Sequence, residues 1–395
     1  MNIDDHALAK TLPKATDTAS IQCGPGPFRT FAVRENAPET LQDYINSDEP
    51  QLALRIISFN DATLVSLSWL HTLMDVMGQQ ALLLGWSLVL AGRESEVPSL
   101  LGAREDAICA ATDAPAGEEA EKYRLGQIRL KGLDMLSFGA RFAWDMMWNQ
   151  VIETRTIFLP SSVVAELRHQ AQSDLTGKDG GEDKPFISEG DVLTAWAIHA
   201  VASSLPAPRP VTALHALNAR FRLPSLVADS GVYVQNMSVA AFAMLAPEVA
   251  TGPLGPMALE NRRCLAEQAT EAQVLAGLRE TREEAKIGTE SVLMCGQPNA
   301  LLMPFTNWTR ADFFNVIDFN PALVRAGDVS SSRRNPPGTM VYHHAASMKP
   351  SPTMRNVVVV LGKDHGENYW LTATLLPAAW AKMEEEVKKM RGRIE

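Results

Sequence analysis

Residues 61–78 read DATLVSLSWLHTLMDVMG. Residues 63–70 are nearly continuous in apolar and β-branched character, which predicts a strand of the kind found in a buried sheet. The strand ends at His71. Asp75 stands four residues further on, and the apolar stretch from Met77 or Gln79 to Leu90, with Gly92 beyond it as a C-cap, predicts a helix. A histidine at a strand end is held by the sheet while its ring faces a cleft, and a side chain that titrates near neutrality suits general-base work. Asp75 reads as a loop-fixing residue that pairs with an arginine elsewhere. The spacing alone is weak. The chain has eight histidines, and about 0.4 His-x-x-x-Asp matches are expected by chance. A loop histidine beside an N-cap aspartate is the plainer reading of the motif by itself.

Upstream, residues 52–59 (LALRIISF) predict a partner strand across the turn Asn60-Asp61-Ala62. Residues 1–50 are polar, carry Pro25, Pro27, Pro38 and Pro50, and read as a loosely packed arm with one short helix at 37–44. Downstream, 93–125 is an acidic loop. An aromatic-rich helix follows at 138–150, a strand at 153–159 and a helix from Pro160 to Gln172. The polar, glycine-bearing stretch 173–184 is the clearest linker. Ser188-Glu189-Gly190-Asp191 is a capping box that opens a helix over 192–202. Strands are predicted at 211–217, 231–239, 300–305 and 313–318. A charged helix is predicted at 259–286, broken near Gly277, and a long loop at 327–352. A hairpin over 356–361 and 369–375 precedes a terminal helix over 377–390. The irregular mixture of helices and strands predicts a mixed α/β (α+β) layered fold.

With 395 residues, 46% hydrophobic and 21% charged, the chain can bury a large core without disulfide or metal. Its net charge of −10 argues against a non-specific nucleic-acid binder. Cys23, Cys109, Cys264 and Cys295 lack zinc-type spacing and fit a reducing compartment. The N-terminus has no signal-peptide pattern, and the longest near-apolar run, 81–92, is too short to span a bilayer. The expectation is a soluble cytoplasmic protein. No G-x-G-x-x-G, Walker A or G-x-S-x-G pattern is present.

The run from Asp61 to Asp75 resembles the catalytic segment of BAHD acyltransferases, in particular their filamentous-fungal branch. The resemblance continues in order along the chain. Ser188-Glu-Gly-Asp191-Val-Leu-Thr-Ala-Trp196 looks like the opening of the family's second domain, Asn218-Ala-Arg220 like its Asn-x-Arg strand, and Thr306-Asn307-Trp308 like its Thr-Ser-Trp element. Asp318-Phe319-Asn320-Pro321-Ala322 stands where the Asp-Phe-Gly-Trp-Gly motif belongs. The match runs from about residue 45 to the C-terminus. It implies a two-domain, chloramphenicol-acetyltransferase-like fold. An N-terminal domain would span 1–174, with about 303–330 returning to it. A linker would follow at 175–185 and a C-terminal domain at 186–395. A channel between the domains would admit acyl-coenzyme A as co-substrate from one face and a small alcohol or amine acceptor from the other, with no bound cofactor. Carried onto this chain, His71 is the general base. Thr306, with the Trp308 indole N–H, is the oxyanion donor, and Asp75 is structural with Arg220 as its partner. Asp318 is structural too.

Two departures from the family stand out. His71 lies nearer the start of the chain than the family's histidine, so the first strand–helix portion of domain one is expected to be missing. The altered 318–322 segment lacks both motif glycines, which puts its loop geometry in question.

Other residues carry more than one reading. Tyr233-Val-Gln-Asn236 matches a family segment near the channel. Asn236 is there a candidate ligand contact, with core or strand-end roles equally open. Arg333-Arg334 and Lys349 are candidates for coenzyme A phosphates, although a solvated loop is the better reading. His343-His344 reads as a pair of solvent-exposed loop histidines and not as a metal site. Met74, Met77, Met146 and Met147 with Trp144 and Trp148 read as core or as an apolar acceptor pocket. The leading expectation is a monomeric acyl-coenzyme A-dependent O- or N-acyltransferase acting on a fungal secondary metabolite. The alternatives are a coenzyme A-independent cyclisation or proton-transfer enzyme, and a shortened non-catalytic paralogue.

Overall fold

The computed structural model describes residues 1–113, 121–176, 185–227, 231–287, 293–326, 335–349 and 351–391. Its strands are β1 (Ser20–Cys23), β2 (Leu52–Ser58), β3 (Thr63–Trp69), β4 (Ser99–Leu101), β5 (Glu153–Leu159), β6 (Val211–Asn218), β7 (Gly231–Tyr233), β8 (Ser238–Leu245), β9 (Leu301–Asn307), β10 (Val357–Lys363) and β11 (Tyr369–Leu375). Seven of them form one mixed sheet in the order β1-β5-β11-β10-β9-β6-β8. β2 and β3 make a separate hairpin, and β4 pairs with β7. The large sheet takes strands from both sides of residues 175–185. Of that linker, 177–184 lies outside the described residues.

The period-two pattern of the sheet sorts its side chains between two layers. Ile157, Val360, Leu371 and Ala243 face the main core, where the helices Glu189–Ala202, Leu254–Gln268 and Pro377–Arg391 cover the sheet. Their chain neighbours Phe158, Leu361 and Trp370 face the opposite side and pack with Phe314. The helix Glu189–Ala202 opens with the expected capping box: Ser188 Oγ accepts the Asp191 N–H, and Asp191 accepts the Ser188 N–H. Ten of its fourteen residues are buried, so it is the central helix of the layer.

Four sequence expectations are corrected. The first fifty residues are not a loose arm. β1 pairs antiparallel with β5, and Ala9, Phe28 and Phe31 form a core cluster against Ile57, Phe59 and Leu64 of the hairpin segment. β3 is not in a buried sheet. Its apolar face, with Leu52, Leu54 and Ile56 opposite Trp69, Leu67 and Val65, is partly open to solvent. The long charged helix is two helices, Leu254–Gln268 and Glu271–Lys286, divided where the Thr270 side chain caps the second one. Residues 313–318 form no strand. Asp312 takes a left-handed conformation, and the helix Phe313–Val316 follows. Consecutive aromatics explain this outcome: a helical turn buries Phe313 in one cluster and Phe314 in another.

Candidate active site

The turn after β3 is tied down by its own groups. The Leu73 N–H donates to the Leu70 carbonyl at 2.9 Å, and the Trp69 indole donates to the Met74 carbonyl at 3.2 Å. Asp75 is the N-cap of the helix Val76–Leu90, and its Oδ1 accepts the N–H groups of Met77 and Gly78, both at 3.1 Å. Asp75 also meets Arg220 in a two-pronged pair, Nη1 to Oδ2 at 2.8 Å and Nη2 to Oδ1 at 3.0 Å. Its Oδ2 further accepts the Met237 N–H at 2.9 Å. Both side chains are less than a tenth exposed. A buried carboxylate with five donors around it is a structural anchor: both its oxygens are engaged.

Arg220 extends the knot. Its Nη2 donates to the Gln235 carbonyl at 2.5 Å and its Nε to the Tyr233 carbonyl at 3.2 Å. The segment 233–237 is thereby laid across the first turn of the helix. Only glycine permits that approach, since a Cβ on Gly78 would stand 2.0 Å from the Val234 carbonyl oxygen. From this segment the Asn236 amide reaches back and donates to the His71 main-chain carbonyl at 2.6 Å. His71 is thus clamped by its backbone, while its side chain is exposed and makes no ring hydrogen bond among the described residues. Asn236, a candidate ligand contact with core or strand-end roles equally open in the sequence, here braces the histidine turn.

A second group sits at the C-terminal end of β9. The Trp308 indole Nε1–H donates to Thr306 Oγ1 at 3.0 Å, and the Trp308 N–H donates to the Val360 carbonyl at 2.8 Å. In this structure the indole N–H is thus directed at Thr306 Oγ1. The Thr306 hydroxyl hydrogen remains to donate. Trp308 packs in the same apolar cluster as Leu67, Val76, Met77 and Leu83. The helix launched at Asp75 therefore bears on the strand end that carries Thr306.

The remaining predicted residues fall elsewhere. Lys349 is exposed and has no contact with the Asp75 knot among the described residues. Its charge acts on Asp43, whose carboxyl is held low chiefly by the backbone N–H groups of Glu39 and Thr40. Arg333 lies outside the described residues. Asp318 is structural: it accepts the Asn320 N–H and donates its own N–H to Ser87 Oγ. The lost motif glycines are answered by Gly338, at φ +80, against which the Asn320 backbone sits too close for any side chain.

His343 and His344 are not solvated loop residues. Both are held back from solvent among aromatic rings, and burial lowers each pKa to about 4. Met74 is core, Met77 packs beside Trp308, and Trp144, Met147 and Trp148 are exposed on the helix Gly132–Trp148. Two cavities, one along β1 and one under the helix Gly132–Trp148, are not lined by His71. Among the described residues, no group of three or more His, Cys, Asp or Glu side chains is placed to hold a metal ion, and no helix is long and apolar enough to cross a membrane.

Sequence reasoning missed one feature. Arg310 lies over the Phe221 ring at 3.4 Å, and burial together with the charge of Arg222 lowers its pKa. Neither arginine has a carboxylate partner among the described residues. Their place two residues after Trp308 and Arg220 in the chain was the available signal.

No family model matches the chain. It is 37% identical over 98% of its length to O-acetyltransferase PaAT-2 of Phomopsis amygdali, covering 80% of that protein. It is 34% identical over 99% of its length to acetyltransferase pyiB of Pyricularia grisea, covering 77% of it. This chain belongs to the fungal branch of the BAHD acyltransferases. It is an acyltransferase of the class that moves groups other than amino-acyl groups. Its fold resembles the crystal structure of F. sporotrichioides TRI101 complexed with coenzyme A and T-2, with a TM-score of 0.56 at 15% identity over 87% of this chain and 71% of that one. The two-domain BAHD fold is thus the frame in which His71, Asp75 and Thr306 stand.

Proposed function

We propose that this acyltransferase moves an acyl group, acetyl by default, from coenzyme A to a hydroxyl or amine of a hydroxylated fungal secondary metabolite, as a monomer in the cytoplasm. One observation carries the reading. The Asp75–Arg220–Asn236 knot saturates the aspartate and clamps the His71 backbone, yet leaves the imidazole without a hydrogen bond among the described residues. That is the arrangement of a base held ready by its main chain.

His71 takes the acceptor proton as the acceptor oxygen attacks the thioester carbonyl carbon. The carbonyl π electrons move onto its oxygen, and the Thr306 hydroxyl donates to that oxyanion. Collapse re-forms the carbonyl and breaks the C–S bond, and the departing thiolate takes the proton from the imidazolium. No acyl-enzyme is formed. Arg222 and Arg310, cationic and without carboxylate partners among the described residues, suit the phosphates of the donor. The TRI101 complexes with coenzyme A and small mycotoxins support both substrate classes.

The test is thiol release from acetyl-coenzyme A by the purified chain with a panel of hydroxylated fungal metabolites. Acceptor-dependent release with acetylated product is expected. Product formed without any thioester would overturn the reading in favour of a coenzyme A-independent reaction.

A further inference from the structure

Buried polar atoms in folded proteins almost always have partners, so an exception calls for an explanation. His343 Nε2 is such an exception: it is inaccessible to solvent and has no hydrogen-bond partner. The ring is wedged in an aromatic box. Trp308 lies nearly parallel to it, at an interplanar angle of 13° with centroids 6.4 Å apart. Phe313 and Phe314 close the other sides, each with its centroid 5.1 Å away. The irregular segment on which the ring sits is itself stitched in place. Phe319 N–H donates to the Gly338 carbonyl, Asp318 bridges Thr339, and Tyr342 Oη meets Thr156 Oγ1 at 3.2 Å.

We propose that His343 is a positioning residue for acyl transfer: its ring is the wall that fixes the Trp308 indole on Thr306 Oγ1. The inference rests on the proposed role of Thr306 as oxyanion donor. The hydroxyl oxygen of Thr306 has two acceptor sites and one hydrogen. With the indole N–H on one lone pair, the hydroxyl is biased to turn its own hydrogen away from Trp308, toward the substrate. An indole free to swing would release the hydroxyl to rotate, and a donor that must be reoriented during reaction stabilises the oxyanion less. The backbone bond from Trp308 to Val360 fixes only the main chain. The indole itself packs among Leu67, Val76, Met77 and Leu83, and among the described residues His343 is the ring that lies parallel to it. What the position requires is a flat ring, and the orphaned nitrogen is incidental to it.

The full chain tests this through His343→Ala, His343→Phe, Thr306→Ala and the Thr306→Ala/His343→Ala pair, with thiol release from acetyl-coenzyme A measured on the acceptor panel. Thr306→Ala is expected to lower kcat by about 10²–10³-fold. His343→Ala is expected to lower kcat about tenfold with both KM values within twofold. His343→Phe is expected to restore kcat. The double variant is expected to be no slower than Thr306→Ala alone, since His343 acts only through that hydroxyl. Multiplying losses in the double variant, or a His343→Phe protein as slow as His343→Ala, would overturn the inference while leaving Thr306 its role. A Thr306→Ala protein of unchanged kcat would instead overturn the oxyanion reading itself.

Discussion

His71 and Asp75 are separated by three residues and do opposite things. Asp75 is buried against Arg220 and three backbone N–H groups, so its replacement leaves a buried guanidinium unpaired and the helix Val76–Leu90 uncapped. Asp75→Ala is expected to lose roughly 3–5 kcal/mol of stability, read as a lower chemical-denaturation midpoint; an unchanged midpoint would contradict the anchoring role. Asn236 acts at one remove. Asn236→Ala deletes the bond to the His71 carbonyl, and a looser base is expected to cut kcat about tenfold with stability nearly unchanged. A loss confined to KM would instead restore its reading as a ligand contact. The Asp75–Arg220 pair was legible through the family resemblance, since the residues alone called only for an arginine elsewhere in the chain. The use of the Trp308 N–H and the burial of His343 were not legible. Each depends on which ring lies beside which, and spacing along the chain does not carry that.

Elements with strong local signals matched their sequence reading. β2, β3, β5, the hairpin of β10 and β11, and the capped helix Glu189–Ala202 all lie close to where periodicity and turn chemistry put them. Elements decided by tertiary contact did not. β1 is four residues of unremarkable pattern, recognisable only by its register against β5. Residues 313–318 have strand-like composition but fold as a turn of helix, because two adjacent phenylalanines are drawn to different clusters. Gly78 marks where an element boundary depends on a missing side chain. Gly78→Ala would drive a methyl into the Val234 carbonyl and is expected to destabilise the chain by roughly 1–3 kcal/mol. It should also slow turnover, because the displaced 233–237 segment carries Asn236. Wild-type stability and kcat in this variant would contradict the close approach described.

At the scale of the molecule, three histidines are folded as neutral groups. Burial lowers His215, His343 and His344 to about 4, against about 6.5 for an ordinary histidine. Between those values the unfolded chain binds more protons than the native one. The stabilisation is therefore complete above pH 6.5 and is lost as pH falls toward 4. Denaturation midpoints should fall steeply across this window and flatten in a His215→Asn/His343→Phe/His344→Phe variant; a triple variant as acid-sensitive as the parent would contradict the assignment. The same whole-molecule view separates activity from folding. His71 is exposed, so His71→Ala should leave stability within about 0.5 kcal/mol, whereas Asp75→Ala should not. The most direct measurement is acceptor-dependent thiol release from acetyl-coenzyme A by His71→Ala beside the parent protein. The account predicts a kcat lowered by about 10²–10⁴-fold at an unchanged melting temperature. Release at the parent rate from the folded variant would contradict it.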